Sequence, residues 1–307
     1  MPPVAVIDIG SNSIKLLVAG KNDAGRLIAR QIRTIEARIS AGISLDNARL
    51  GTEGAGRGIR AVAELVADAG AFGPQQIIIV ATSAVRGAAN GREFCASVQA
   101  ETGHPVRILT GEEEASLIAR GLLCDPALET LRDFYVFDLG GGSLECLDFR
   151  DRRVVQAASL PLGCVRLTEM FVADPAAPFA AGSLIAAHVR EALALAGFSL
   201  AQGAPAVGTG GTLTTARAVL GARAGLAPEA SDPRLTVSQL REMLALVGGL
   251  PLAGRGSVPG LPPARADVFP AALSTLVALA GLGGFDAYQH SFYNLRWGVA
   301  SEALAAC

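Results

Sequence analysis

The sequence predicts an α/β protein made by duplication, with two lobes around one cleft, and three observations carry the prediction. Asp8-Ile9-Gly10-Ser11-Asn12-Ser13 follows the apolar run Val4 to Ile7, and Asp138-Leu139-Gly140-Gly141-Gly142-Ser143 follows Phe134 to Phe137. Between and after these copies, helical stripes alternate with short apolar runs. The 307 residues suit two domains better than one once two similar strand–turn units are present. In each copy a β-branched or aromatic run reads as a buried strand, an Asp ends it, and small residues turn the chain so that backbone N–H groups and hydroxyls face one point. Such a concavity suits an anion. Glycine belongs there because a bare backbone donor reaches phosphate only where no Cβ intrudes, and the adjacent carboxylate needs a cation or water between it and the phosphate.

The elements follow in order. Val4–Asp8, Ile14–Ala19 and Leu27–Ile35 read as a meander with turns at Gly10–Ser13 and Asn22–Gly25. Ile59, Val62, Ala63, Val66 and Ala67 make a helical stripe over Glu53–Ala69, and Gln76–Ala81 reads as a strand buried on both faces. A helix near Gly91–Thr102 and a strand at Val106–Leu109 complete the first cycle. The second starts at Phe134 with strands to about Ser159 and continues in helices to the end, among them Gly182–Gly197, Val237–Val247 and Ala271–Leu282. Ala224–Pro233 and the Gly/Pro-rich stretch Gly248–Pro263 are the expected flexible segments, the latter able to fold over the cleft.

Composition narrows the function. Half of the residues are apolar, the net charge is −2 and the pI is near 6.0, which argues against a dedicated duplex nucleic-acid binder. Lysine occurs only at positions 15 and 21, and the remaining cations are arginines, a bias that genomic composition explains as well as phosphate recognition does. Cys95, Cys124, Cys146, Cys164 and Cys307 are odd in number and lack C-x-x-C spacing, so reduced cytoplasmic thiols are expected and neither a disulfide framework nor a zinc site is. The start of the chain has no export signal, and the uncharged stretch Val268–Phe285 is broken by Pro270, Ser274, Thr275 and glycines, which reads as a buried core helix of a soluble protein.

Four further constellations bear on chemistry. In Ala81-Thr82-Ser83-Ala84-Val85-Arg86 a strand ends in two hydroxyls and an Arg suited to phosphate, although Thr82 or Ser83 equally suits a helix cap. In Thr110-Gly111-Glu112-Glu113-Glu114-Ala115, Thr110 and Glu113 have capping-box spacing and Glu112 suits the helix dipole. Glu114 is the carboxylate left over. Held near phosphate and away from water it can accept a proton from an attacking water, while spacing alone makes a surface helix position the plainer reading. Glu145 points to the same side as Ser143 and with Asp138 offers oxygen ligands for a hard cation such as Mg²⁺. Val207-Gly208-Thr209-Gly210-Gly211-Thr212-Leu213-Thr214 presents donors at a helix start, which an ordinary glycine-rich strand–helix turn also explains.

Taken in order, Asp8–Ser13, Ala81–Arg86 with Asn90 and Phe94, Gly111–Ala115, Asp138–Glu145, Leu162–Glu169 and Gly208–Thr212 resemble the exopolyphosphatase and guanosine pentaphosphate phosphohydrolase family. The resemblance extends to Arg265-Ala266-Asp267 and Asn294-Leu295-Arg296-Trp297-Gly298, and is to the short, two-domain members. It implies a duplicated ribonuclease-H-like fold of the actin-like superfamily, with lobes over residues 1–124 and 125–295 and a final helix, about 296–307, able to pack back on the first. It implies hydrolysis of the terminal phosphoanhydride of inorganic polyphosphate. By position, Glu114 matches the general base, and Asp138 and Glu145 the acidic pair that positions metal and water. Arg86 matches the phosphate-binding arginine, and Gly10, Ser11, Asn12, Ser13 and Gly141, Gly142, Ser143 the two phosphate loops, with Gly210, Gly211 and Thr212 as a third set of phosphate donors.

Mg²⁺ is the implied cofactor, with K⁺ as a second cation to test. Guanosine penta- or tetraphosphate is the alternative substrate or an inhibitor, and a homodimer is implied without any interface signature. A non-catalytic regulator binding alarmone or polyphosphate, and a kinase of the superfamily, are the other readings; the three carboxylates argue against the regulator. Departures from the family pattern are Arg38-Ile39-Ser40-Ala41-Gly42, which lacks an acidic residue, Asp267-Val268-Phe269-Pro270-Ala271-Ala272, with Ala for Gly, and Asn294–Gly298 near the end.

Overall fold

The computed structural model describes residues 2–41 and 48–305, so Gly42 and Cys307, which figure in the reading above, lie outside the described residues. Contacts divide the chain into two compact units, residues 1–129 with 293–307, and residues 130–292.

The first unit runs β1 (Val4–Ile9), β2 (Ile14–Lys21), β3 (Leu27–Ile35), α1 (Thr52–Gly70), β4 (Gln76–Ala81), α2 (Ser83–Arg86), α3 (Gly91–Thr102), β5 (Val106–Ile108) and α4 (Gly111–Leu122). The second runs β6 (Phe134–Leu139), β7 (Leu144–Arg150), β8 (Arg153–Leu160), α5 (Cys164–Phe171), α6 (Gly182–Leu195), β9 (Ala206–Thr209), α7 (Gly210–Arg223), β10 (Arg234–Thr236), α8 (Val237–Gly249), α9 (Leu252–Arg255), α10 (Phe269–Gly283) and β11 (Ala287–His290). The last helix, α11 (Leu295–Ala305), belongs to the first unit.

The sheet orders are β3-β2-β1-β4-β5 and β10-β11-β9-β6-β7-β8. Read from the meander inward they match: an antiparallel trio, then strands parallel to the first, β1-β4-β5 in one unit and β6-β9-β11 in the other. The duplication holds residue by residue. Ile9 pairs with Ile14 and Leu139 with Leu144 at the two turns, and each turn closes on the same bond, Gly10 N–H to Ser13 carbonyl at 3.2 Å and Gly140 N–H to Ser143 carbonyl at 3.0 Å. Four residues further along, each meander carries a bulge with one extra residue on its outer strand, Arg30 opposite Val18/Ala19 and Val155 opposite Asp148/Phe149. The fold is α/β, a duplicated ribonuclease-H-like fold.

Alternation explains the layers. In the first unit Ala5, Ile7 and Ile9 of β1 and Ile14, Leu16 and Val18 of β2 share a core with Val62 and Leu65 of α1 and Phe94 and Val98 of α3. The opposite face, with Val4, Val6, Leu17 and Ala19, is fully buried too, and α11 packs against β1 and β2. Asp8 and Lys15 lie on this second face by the same alternation. In the second unit Tyr135, Phe137 and Leu139 meet the buried side of α10, which is a core helix as its composition predicts. Among the described residues no helix is long and apolar enough to cross a membrane.

Three expectations need correction. The second cycle does not end in helices alone, because β10 and β11 are strands of three and four residues; runs so short carry no readable alternation and exist through their sheet partners. Gln76–Ala81 is not buried throughout: its first three residues are exposed or half-buried, and burial begins at Ile79, where β5 comes alongside. The stretch 248–263 is pinned within its unit, since fully buried Arg255 donates from Nε to the Val247 carbonyl at 2.9 Å and from Nη2 to the Ala177 carbonyl at 3.0 Å.

Helix α11 reaches the first unit through an approach that only glycine allows. A Cβ on Gly298 would run into the Leu117 carbonyl of α4, and one on Gly121 into the Asn294 carbonyl. Gly298→Ala is therefore expected to cost about 2–4 kcal/mol of stability, read as a lowered denaturation midpoint in urea. A midpoint within error of wild type would show that the α4–α11 crossing can open without loss.

Candidate functional site

Three loops of the first unit share one edge of its sheet. The Gly10–Ser13 turn follows β1, Thr82–Arg86 follows β4 and Thr110–Glu114 follows β5, and these three strands are parallel neighbours about 4.8 Å apart. Ligands of α/β sheets bind outside such carboxyl ends. Backbone bonds knit the loops together: Thr82 N–H donates to the Ile9 carbonyl at 3.2 Å and Leu109 N–H to the Ala81 carbonyl at 2.9 Å. The Thr82 hydroxyl makes no cap; it leans on the Ile9 carbonyl, at the root of the first turn.

Glu114 is buried although it follows two more exposed glutamates. Both bonds of the capping box are present, Glu113 N–H to Thr110 Oγ1 at 3.1 Å and Thr110 N–H to Glu113 Oε2 at 2.8 Å, which commits Glu113 to the helix start. The helical step of 100° per residue then turns Glu114 inward. Arg86 Nη1 donates to Glu114 Oε2 at 2.9 Å and to the Leu109 carbonyl at 2.8 Å. The arginine and the glutamate singled out in sequence are thus a bonded pair, and the surface reading of Glu114 falls.

The turns present their N–H groups because their carbonyls are taken from the other side. In a trans peptide the carbonyl of one residue and the N–H of the next point in opposite directions. The Ser11 carbonyl accepts from Ser40 N–H at 3.3 Å and Ser40 Oγ at 3.1 Å, and the Asn12 carbonyl accepts from Arg38 N–H at 2.8 Å. The N–H groups of Asn12 and Ser13 therefore point away from residues 38–40. Arg38 adopts a left-handed φ of 46° to reach its position, and Arg57 Nε and Nη2 hold the Ala37 and Arg38 carbonyls. The Asn12 side chain is engaged as well, its amide nitrogen donating to Glu36 Oε2 at 2.7 Å.

In the second unit a helix does the same work. Cys164 N–H donates to the Gly140 carbonyl at 3.0 Å and Val165 N–H to the Gly141 carbonyl at 2.9 Å, so the start of α5 aims the Gly141 and Gly142 N–H groups away from itself. Ser143 and Glu145 are buried; Glu145 stands directly across from Asp138 in the β6–β7 register and accepts from Ser159 Oγ at 2.9 Å. Like charges at opposed positions destabilise a hairpin. Two hard carboxylates so placed fit a divalent cation that completes its shell with water or phosphate oxygens, the habit of Mg²⁺. Among the described residues no group of three or more His, Cys, Asp or Glu forms a fuller cage.

The third glycine turn lies against this pair. Gly210 has a φ of 88°, and a Cβ there would collide with the Asp138 carboxylate. Thr212 Oγ1 donates to the Leu139 carbonyl at 3.2 Å, so its hydroxyl proton braces the second turn. Two residues with no role in the sequence reading join here. Buried Arg265 lies so close to Gly211 that a Cβ on that glycine would meet its guanidinium, and Arg166 Nε reaches the Gly142 carbonyl at 3.4 Å. Their only sequence signals are the Arg-Ala-Asp triplet after Pro263 and the second residue past the Gly163-Cys164 helix start.

In the first unit Asp8 is a third residue that sequence reasoning left without a role. Burial pushes its carboxyl up from the usual range, and Lys15 and then Arg296 pull it part of the way back. Its Oδ1 is shut off from solvent with no hydrogen-bond partner. A carboxyl raised in the folded state holds its proton more tightly there than in the unfolded chain, so stability from this group is lost as pH rises from about 4 through the raised value. Asp8→Asn is expected to stabilise the protein at pH 7 by about 1 kcal/mol and to flatten that part of the stability–pH curve. Unfolding at pH 4 to 7 checks both, and a destabilised variant at pH 7 would mean that Lys15 and Arg296 outweigh burial.

Residues 5–305 match the model of the Ppx/GppA phosphatase family. Among solved structures, the chain is similar to an exopolyphosphatase from Cytophaga hutchinsonii, with a TM-score of 0.86 at 20% identity over 99% of this chain and 98% of that one. It is also similar to the Ppx/GppA family member of Aquifex aeolicus, with a TM-score of 0.77 at 27% identity over 99% and 98% of the two chains. With a family match over nearly its whole length, this chain belongs to the Ppx/GppA phosphatase family.

Proposed function

We propose that the protein is an exopolyphosphatase that hydrolyses the terminal phosphoanhydride of inorganic polyphosphate and releases orthophosphate. The observation that carries the reading is Glu114, a buried carboxylate held by Arg86 on the sheet edge that also bears the Gly10–Ser13 turn. Family membership supports phosphatase chemistry, and the Cytophaga hutchinsonii structure of like fold is an exopolyphosphatase.

The chain's own residues divide the work. The backbone N–H groups of Asn12 and Ser13, with Arg86, in the first unit and those of Gly141 and Gly142, with Arg265, in the second are the donors offered to phosphoryl oxygens. Glu114 takes a proton from a water as its oxygen attacks the terminal phosphorus in line, and the bridging oxygen leaves with the shortened chain. Arg86 fixes the carboxylate through one nitrogen, so that the proton acceptor is oriented before substrate arrives. Asp138 and Glu145 would hold the Mg²⁺ ion, which supplies charge compensation for the phosphate oxygens when bound. A purely regulatory binder has no use for a buried, oriented carboxylate beside its cradle, and a kinase would need an acceptor other than water.

Orthophosphate release from long-chain polyphosphate, with and without Mg²⁺ and K⁺ and beside guanosine pentaphosphate, tests the reading. Glu114→Gln is expected to lower kcat by a factor on the order of 10² to 10⁴ while polyphosphate binding stays within a few-fold. Unchanged turnover would remove Glu114 from the base role, and faster release from guanosine pentaphosphate would reassign the substrate.

A further inference from the structure

Behind the third glycine turn a chain of hydrogen bonds runs from a buried cation to the first peptide of α7. Arg217 Nη1 lies 3.3 Å from His290 Nδ1, His290 Nε2 lies 3.3 Å from Thr214 Oγ1, and Thr214 Oγ1 lies 2.9 Å from the Gly210 carbonyl. A guanidinium only donates, so Nδ1 accepts and the ring proton sits on Nε2; a carbonyl only accepts, so the Thr214 proton points at Gly210. We propose that His290 is a positioning residue for phosphate binding, the middle link through which buried Arg217 holds and polarises the Gly210–Gly211 peptide whose N–H is offered to substrate.

The proposal rests on the phosphate-hydrolase reading above and adds to it a residue that touches no substrate. His290 ends β11, whose parallel neighbour β9 leads into the Gly210 turn, and Ser291 N–H donates to the Gly208 carbonyl at 3.0 Å, so the two strand ends are tied together. Ring and guanidinium are both buried. Burial, and then Arg217, hold the imidazole pKa down to about 3, so the ring stays neutral and keeps one nitrogen able to accept. The other bonds of Arg217 go to the Ser231 hydroxyl and to the Ser231 and Glu229 carbonyls, and its guanidinium carbon stands 4.9 Å from the centre of the Phe292 ring. All of these partners are neutral, and the carboxylates of Glu229 and Asp232 act on the cation only through space. Each bond of the chain runs in the same direction away from that charge, so their dipoles reinforce one another. Across the trans peptide the Gly211 N–H points opposite to the Gly210 carbonyl, out of the helix start. That end of the peptide lies at the candidate site: a Cβ on Gly210 would collide with the Asp138 carboxylate, and one on Gly211 with the Arg265 guanidinium.

A merely structural role, filling space and satisfying Arg217, predicts lost stability without lost affinity. Affinity for diimidotriphosphate, whose nitrogen bridges resist hydrolysis, is measured by calorimetry in Mg²⁺ beside thermal unfolding of each variant. Thr214→Val, which keeps the shape and removes the hydroxyl, and His290→Met are each expected to weaken binding about threefold to tenfold, and the double variant no more than either. His290→Gln, whose amide can accept from Arg217 and donate to Thr214, is expected to stay within about twofold of wild type. In polyphosphate hydrolysis Thr214→Val and His290→Met are expected to raise KM with kcat nearly unchanged. Should the His290 variants not fold, ¹⁵N-histidine spectra of the wild type decide, with His104→Gln and His188→Gln, the other two histidines, assigning the His290 signals. A neutral ring protonated on Nε2 is expected, its N–H signal moving as diimidotriphosphate binds. Wild-type affinity in Thr214→Val and His290→Met, additive losses in the double variant, a ring signal indifferent to diimidotriphosphate, or a wild type that does not bind it overturns the proposal. A wild type that binds the analogue in this way and yet releases no orthophosphate from polyphosphate would overturn the hydrolase reading alone.

Discussion

Everything chemical in this protein depends on peptide planes held from behind. A four-residue turn between two strands has no intrinsic reason to aim its N–H groups at one point; it does so because each carbonyl is claimed by a donor on the other side. The two units meet this requirement with different elements. Residues 38–40, themselves clamped by Arg57, take the Ser11 and Asn12 carbonyls, whereas the first N–H groups of α5 take those of Gly140 and Gly141. The second solution also satisfies the orphan donors of a helix start, so one set of bonds serves both ends. The first needs a non-glycine residue, Arg38, in a left-handed conformation, a strain of about 1 kcal/mol or more that the surrounding bonds must overcome.

Duplication followed by divergence explains the charge pattern. Because hairpin register and bulge are identical in the two units, the hairpin backbone is common property and its side chains differ. The first hairpin pairs acid with base and the second pairs acid with acid. A facing carboxylate pair is less favourable than a facing acid and base, so the two hairpins differ in charge at one shared position. Gly210 belongs to the same logic: it gives the Asp138 carboxylate room that any side chain would fill.

Much of this was legible in the chain itself. Val4–Ile9 and Phe134–Leu139 stand out because central strands are apolar on both faces, and the Asp-then-glycine ending marks a turn that must approach something closely. The Thr110–Glu113 spacing identified the capping box and, by subtraction, Glu114. Its burial was not legible, since it depends on Arg86 arriving from the next strand end. Arg265 was hidden for a similar reason: several elements separate it in sequence from Gly211, the glycine it covers. The strands β10 and β11 are three and four residues long, and pairing, not propensity, makes them strands. Arg255 misled in the opposite direction, because a Gly/Pro-rich stretch reads as loose until one cation inside it is found bonded to carbonyls on both sides. Lys15 was within reach of sequence reasoning: counting alternately from Asp8 through the turn puts it opposite, but as one of two lysines it drew attention only to composition.

The same features show where stability and chemistry compete. Asp8 has a buried oxygen without a hydrogen bond, Arg38 has a strained backbone, and Asp138 faces another acid. Asp8 and Asp138 stand two residues before the two turns and Arg38 is bonded to the Asn12 carbonyl of the first, while β1, β2, β6 and β7 around them are buried nearly throughout. Local sequence–structure conflicts that cluster at strand ends, on an otherwise consistent framework, are what a binding edge produces when its groups are arranged for a ligand instead of for one another.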